Sequence, residues 1–193
     1  MAQHSSIILI TGGVRSGKSA FAEKIAGDQW KSDGFGQLHY IAAMQPSDEE
    51  MKQRIGVHQQ DRQRSGLLWN TWEKPTSIGD LAEKFNRNDV VLLDCLTTWL
   101  NNELFFEEDG WQDRVFLSDL IEKMWNGILS ISQKVKTFVI VSNEVLYEPI
   151  NQNELVFIYS SLLGKLHQKI VSQAHQAYLV EAGIPILMKG ETE

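Results

Sequence analysis

The chain has 193 residues, 42% of them apolar and 22% charged, with 18 Lys+Arg against 25 Asp+Glu and a formal charge of −7. That is a globular composition, of a length that suits one domain of roughly 100–200 residues able to bury about 70% of its unfolded surface without staples. The acidic balance excludes the broad basic surface of a general nucleic-acid binder, and a lone cysteine, Cys95, excludes an intrachain disulfide and a cysteine-based metal cage.

In chain order, Ile7–Thr11 reads as a short β-strand ended by Gly12 and Gly13. Residues 17–30 read as a helix, with Phe21 and Ile25 four apart on one face. Residues 31–37 (KSDGFGQ) are predicted as a loop and Leu38–Ala43 as a second strand. Ser47 with Glu50 three residues later makes a capping box, which predicts a helix from there to about Arg62. Residues 67–73 read as a strand or extended segment and Thr76–Phe85 as a helix. Val90–Leu93 reads as a strand buried on both faces and ending in Asp94. Helices are predicted over Leu96–Phe106 and Val115–Gln133, on either side of the polar stretch EEDGWQD. Phe138–Val141 is a further buried strand and Gln152–Ala174 a long helix. Tyr178–Val180 and Ile184–Met188 finish as strands around Gly183.

Strands alternating with helices predict an α/β fold, a mostly parallel sheet with helices on both faces. No linker, internal repeat or low-complexity tract divides residues 1–193. The five histidines show no zinc spacing, and the N-terminus has no charged segment leading into an apolar one. With no run of about 18 apolar residues, a cytoplasmic protein is the expectation.

Gly12, Gly13, Val14, Arg15, Ser16, Gly17, Lys18 and Ser19 satisfy GxxxxGK[ST], with an apolar strand before and an amphipathic helix after. Glycines let backbone N–H groups turn towards phosphate oxygens, and the helix N-terminus adds a favourable dipole. Lys18 is placed to reach the β- and γ-phosphates, and the Ser19 hydroxyl to ligate Mg²⁺. The pattern predicts a P-loop NTPase-like fold that takes a nucleoside triphosphate. Asp94, at the end of a buried strand, is the candidate second Mg²⁺-side group; an aspartate there also suits the cap of the helix that follows.

On the helix predicted after Ser47, Arg54, His58 and Arg62 are spaced i, i+4, i+8 and share a face. Two guanidiniums beside an imidazole suit a polyphosphate and favour the neutral, nucleophilic ring. Asp61 is within i,i+3 reach to fix its tautomer. The same spacing also describes a solvated charged face with an incidental histidine.

The segments GGVRSGKSAFAEKIA, YIAAMQPSDEEMKQRIGVHQQDR, WNTWEKP, VVLLDCLTTWLNN and VIVSNEV, in that order, resemble the bifunctional adenosylcobinamide kinase/adenosylcobinamide-phosphate guanylyltransferase family. The resemblance runs over about residues 7–145. It implies two reactions in cobalamin assembly and salvage: phosphorylation of adenosylcobinamide by a nucleoside triphosphate, then transfer of GMP from GTP to that phosphate. It implies that His58 carries the guanylyl group, with Lys18 as the other catalytic group. It also implies nucleotide contacts at Gly12–Ser19, at Ala43, Met44 and Gln45, at Gln59, Gln60, Asp61 and Arg62, at Glu73 and at Asp94. Mg²⁺, on Ser19 and Asp94, and small-molecule substrates (GTP or ATP, adenosylcobinamide and its phosphate) follow, as does a homo-oligomer of the trimeric kind common in the family.

Beyond Val145 the sequence departs from the family. Leu146–Ile150 replaces a glycine-rich stretch, and Phe157–Ser161 and Gly164–Gln168 replace a more charged helix. That bears on the kinase half or the corrinoid contact. A guanylyltransferase without kinase activity, a plain small-molecule kinase and a non-catalytic GTP-binding regulator therefore stay open as alternatives. Cys95 reads as packing; Trp69 and Trp72, three apart, read as packing or as flanks of a nucleotide base; Asn143-Glu144 is a strand end at the ligand-bearing edge of the sheet, suited to a substrate or Mg²⁺ role or to the surface.

Overall fold

The computed structural model describes residues 5–44, 66–106, 110–144 and 154–191. Among them, seven strands form one sheet in the order β3-β2-β4-β5-β1-β6-β7. They are β1 (Ser6–Gly12), β2 (Leu38–Ala42), β3 (Trp69–Glu73), β4 (Val90–Asp94), β5 (Thr137–Asn143), β6 (Gln176–Glu181) and β7 (Ile184–Lys189). All pairings are parallel except the last, where β7 runs back along β6. The helices are α1 (Lys18–Asp33), α2 (Leu96–Leu104), α3 (Arg114–Ser132) and α4 (Glu154–Gln173), with 3-10 turns at Ile78–Lys84 and Gly110–Gln112.

The central strands are apolar throughout because both faces are covered. Ile7 and Leu9, Val91 and Leu93, and Phe138 and Ile140 point to the larger core, which α2, α3, α4 and the Ile78–Lys84 turn complete. Ile8 and Ile10, Val90 and Leu92, and Val139 and Val141 point to the other face, where Ala22 and Ala26 of α1 pack with Phe21 and Ile25 at the margin. The period-2 alternation of side chains thus feeds two separate cores from the same strands. β7 is an edge strand, mostly exposed, and tolerates Pro185 there.

Three sequence-based boundaries shift. Lys31–Asp33 belong to α1, not to the loop predicted over 31–37. The helix stops only at Gly34, whose left-handed φ of 66° suits glycine and whose N–H bonds Trp30 O. The helix predicted over Thr76–Phe85 is a 3-10 segment. Its Gly79 lies so close to Gly127 of α3 that a Cβ on Gly79 would sit 2.6 Å from the Gly127 Cα, so packing sets its form. α2 ends at Leu104, two residues short of the predicted Phe106. The capping-box helix from Ser47 lies outside the described residues.

Candidate functional site

The parallel register brings the strand ends into rows at the carboxyl edge of the sheet, where ligands bind in open α/β folds. Glu73, Ala42 and Asp94 are direct partners across β3, β2 and β4, and Asp94 is opposite Val141 of β5. β1 and β5 run further, to the Gly12–Asn143 pair, and there the chain enters the glycine loop.

Sterics explain the loop's composition. A Cβ on Gly12 would lie 2.4 Å from Val180 O and 2.6 Å from Ser16 Oγ. Arg15 and Gly17 both have positive φ, 60° and 91°, the kind of turn that points successive N–H groups inward. Gly17, the N-cap of α1, makes no side-chain hydrogen bond to the first-turn amides. The loop is braced from outside: Gly183, in the β6–β7 turn, donates its N–H to Ser16 O at 2.8 Å, and Glu144 N–H bonds Gly12 O at 2.9 Å.

Lys18 is buried and donates to Gly13 O at 2.9 Å, which folds its ammonium back under the loop. Burial pushes its pKa down, against an upward pull from Cys95 and from the carboxylate of Asp94. Asp94 is itself oriented by Tyr40, whose hydroxyl donates to Oδ2 at 3.1 Å. The Ser16 hydroxyl oxygen is buried with no hydrogen-bond partner among the described residues. A buried polar atom in a glycine loop of positive-φ residues, with one ammonium and one carboxylate close by, fits a phosphate chain.

The donor set also fits Mg²⁺, which takes oxygen ligands from one or two protein groups and leaves the rest to phosphate and water. Ser19, half-buried in the first turn of α1, and Asp94 at the end of β4 offer oxygens of that kind. No cluster of three or more His, Cys, Asp or Glu side chains stands together among the described residues.

The exits of β2 and β3 are tied by α2. Asn102 donates from one side-chain nitrogen to Ala43 O at 2.8 Å and Pro75 O at 3.0 Å. Its neighbour Glu103, buried, accepts from Ser77 N–H at 2.6 Å, Trp99 Nε1 at 2.9 Å and Lys123 Nζ at 2.7 Å. On the other side of the site, Asn143 donates to Thr97 Oγ1 at 2.9 Å, and Tyr159 of α4 donates to Thr97 O at 2.9 Å. His167, also of α4, bonds Ser142 Oγ at 2.7 Å; burial lowers its pKa to about 4.

Gly12–Ser19, Ala43, Met44, Glu73 and Asp94 therefore gather at one edge of the sheet. Gln45, Arg54, His58, Gln59, Gln60, Asp61 and Arg62 lie outside the described residues. Cys95 is buried, its sulfur 3.0 Å from Thr97 Oγ1 and 3.2 Å from Thr98 Oγ1, and burial raises its pKa. Trp72 and Trp69 pack against the two cores. Trp72 also donates its indole N–H to His39 Nδ1 at 3.1 Å. The indole is donor-only, so the His39 hydrogen sits on Nε2, facing Asp89 at 3.3 Å.

Residue-level reading missed Tyr40, Asn102, Tyr159 and His167. For the last two a signal existed: they are eight apart on the helix face that also carries Leu163, Leu166 and Ile170. A groove of about 560 Å³ between α3 and α4, floored by Leu117, Ile121 and Leu162, contains none of the glycine-loop residues.

A family model described as cobinamide kinase / cobinamide phosphate guanyltransferase matches residues 8–188. The chain is 32% identical over 189 residues to the bifunctional adenosylcobalamin biosynthesis protein CobU of Escherichia coli strain K12, covering 95% of this chain and 99% of that protein. It is 32% identical over 188 residues to the bifunctional adenosylcobalamin biosynthesis protein CobP of Pseudomonas aeruginosa, covering 95% and 97%. Among solved structures, an ATPase domain matches with a TM-score of 0.50 and 15% identity, over 92% of this chain and 69% of that one, a likeness of fold.

Proposed function

The chain belongs to the cobinamide kinase/cobinamide phosphate guanyltransferase family, and on that premise we propose that it is the transferase of both steps. In the first, a nucleoside triphosphate, GTP or ATP, phosphorylates adenosylcobinamide. In the second, GMP passes from GTP to the resulting phosphate. The observation that supports this best is the seating of Lys18, close to Asp94, against a glycine loop with positive φ at Arg15 and Gly17.

In the guanylyl step, neutral His58 attacks the α-phosphorus. A P–N bond forms, the P–O bond to the β-phosphate breaks, and pyrophosphate leaves. The loop amides and Lys18 hold the charge that develops on the leaving group. Arg54 or Arg62 covers the equatorial oxygens. The phosphate oxygen of adenosylcobinamide phosphate then attacks the same phosphorus; a P–O bond forms, the P–N bond breaks, and His58 is released. Mg²⁺, held by Ser19 and Asp94, supplies charge neutralisation when bound. In the kinase step the γ-phosphoryl group moves to the corrinoid hydroxyl, with Lys18 again holding charge. Ala43, Met44, Gln45, Gln59–Arg62 and Glu73 make the remaining nucleotide contacts. A cytoplasmic homo-oligomer, trimeric as is common in the family, completes the proposal.

Two assays test it: phosphate transfer to adenosylcobinamide, and formation of adenosylcobinamide-GDP from the phosphate and GTP. Both products are expected, and Lys18→Ala should lower each rate about a hundredfold or more. The second product without the first identifies a guanylyltransferase that has lost its kinase half. Neither product from folded protein overturns the reading.

A further inference from the structure

We infer that Asn102 is a positioning residue for the nucleotide: it sets the separation of the β2 and β3 exits without touching the ligand. The inference rests on the proposal that these exits, at Ala43-Met44 and Glu73, contact the nucleotide.

Within the sheet, β2 is held on both sides by backbone ladders, and these end at Ala43 N–H to Asp94 O (3.2 Å) and Lys74 N–H to Ala42 O (3.1 Å). One residue further on, the two chains part. Ala43 leads away from β2, while Lys74 and Pro75 lead from β3 towards the 3-10 segment. The Asn102 amide spans the gap at that point. Its Nδ2 has two hydrogens, and the two acceptors are Ala43 O and Pro75 O. Ala43 is fully buried, so its carbonyl has little access to water and depends on this donor.

Asn102 is well placed for such a role because its own position is fixed. It sits near the end of α2, with Trp99 and Leu100 fully buried before it. Glu103 next to it anchors Ser77, a non-glycine residue with φ of 50°. The α2 terminus is thus a rigid post, and α2 begins directly after Asp94 and Cys95. The helix that starts at the candidate Mg²⁺-side carboxylate therefore ends by clamping the far side of the same edge. A side chain that removes both donors at constant size lets the two exits separate, and the contacts they carry lose their common geometry.

The test uses Asn102→Asp, which keeps size and replaces two donors with acceptors, and Asn102→Ala. Lys123→Ala serves as a control that loosens the neighbouring Glu103 without touching either carbonyl. The readouts are the GTP dissociation constant by calorimetry and, where turnover is measured, KM and kcat. Both Asn102 variants are expected to weaken GTP about tenfold and raise KM to match, with kcat within about twofold. Lys123→Ala is expected to leave GTP binding unchanged. Should Asn102→Asp not fold, Asn102→Ala gives the same reading. Unchanged GTP affinity in a folded Asn102 variant overturns the inference, as does equal weakening in Lys123→Ala. Because binding is read directly, wild-type protein that binds GTP but makes no product counts against the proposed function alone.

Discussion

Tyr40 of β2 donates its hydroxyl to Oδ2 of Asp94, the last residue of β4, at 3.1 Å. A carboxylate proposed to help hold Mg²⁺ is therefore aimed by the adjacent strand, at the level where Ala42, Glu73 and Asp94 share a row. Hydrogen bonds to a charged acceptor are worth about 1.5–3 kcal/mol, and orientation of the ligating group is part of that. Asp94→Asn is expected to cut turnover roughly a hundredfold. Tyr40→Phe should cut it about tenfold while raising the Mg²⁺ concentration needed for half-maximal rate. A Tyr40→Phe enzyme with an unaltered Mg²⁺ profile would separate the two residues' roles.

The glycine loop is held by the β6–β7 hairpin as much as by its own strand. Gly183 has φ of 81° and donates to Ser16 O, and Gly12 lies directly against Val180 O. Gly12→Ala must force the loop away from β6, at a cost of about 1–3 kcal/mol in stability, with GTP binding lost. Gly183→Val places a β-branched residue where positive φ is needed and should weaken GTP about tenfold by releasing Ser16. Calorimetric titration with GTP checks both. Retained affinity in Gly12→Ala would contradict the steric account.

His167 gives the fold an acid-sensitive point. Its pKa is about 4 in the folded chain because of burial, against the ordinary 6.5. Between those values the unfolded chain binds a proton that the folded chain refuses. Stability therefore falls as pH falls through that window, and above pH 6.5 the residue contributes no pH dependence. The difference corresponds to about 3 kcal/mol at full protonation of the unfolded state. Urea unfolding of wild type and His167→Asn at about pH 7 and about pH 4.5 checks this. Wild type should lose about 2 kcal/mol more than the variant over that interval; parallel losses would show that His167 is not the group responsible.

Glu103 is a buried carboxylate with three donors: a backbone N–H, an indole and a half-exposed lysine. Glu103→Ala strands the Ser77 amide and the Trp99 indole in the core, so it should cost about 3 kcal/mol. Lys123→Ala, which removes the partner best reached by water, should cost under about 1 kcal/mol. Thermal or urea denaturation ranks the two. The reverse order would mean that the ion pair, not the buried donors, carries the site.

How far the sequence carried can be read from individual residues. The strands were legible because β1, β4 and β5 are continuous apolar runs, and the glycine loop because Gly12–Ser19 needs no tertiary context to be recognised. The 3-10 form of Ile78–Lys84 was not, since it follows from the close approach of Gly79 to Gly127, far along the chain. The first residues of the predicted 31–37 loop turned out helical because the stop signal was Gly34, not the polar run before it. Asn102 stood in the motif that carried the resemblance, yet its role depends on two carbonyls 59 and 27 residues away. Tyr40 stood within a predicted strand, and Tyr159 and His167 within the helix that departs from the family, with nothing local to mark what they bond. What each one bonds is decided by the register of strands that sequence period alone does not set.

In the proposed reaction GMP passes through this chain covalently, on His58. The direct measurement is incubation of the folded protein with GTP radiolabelled in the α-phosphate, followed by denaturing electrophoresis, for wild type and His58→Ala. Covalent transfer predicts a label on wild type that is lost in acid, kept in alkali and discharged by adenosylcobinamide phosphate, and no label on His58→Ala. A folded wild-type protein that never labels, or a His58→Ala protein that labels equally, would contradict it.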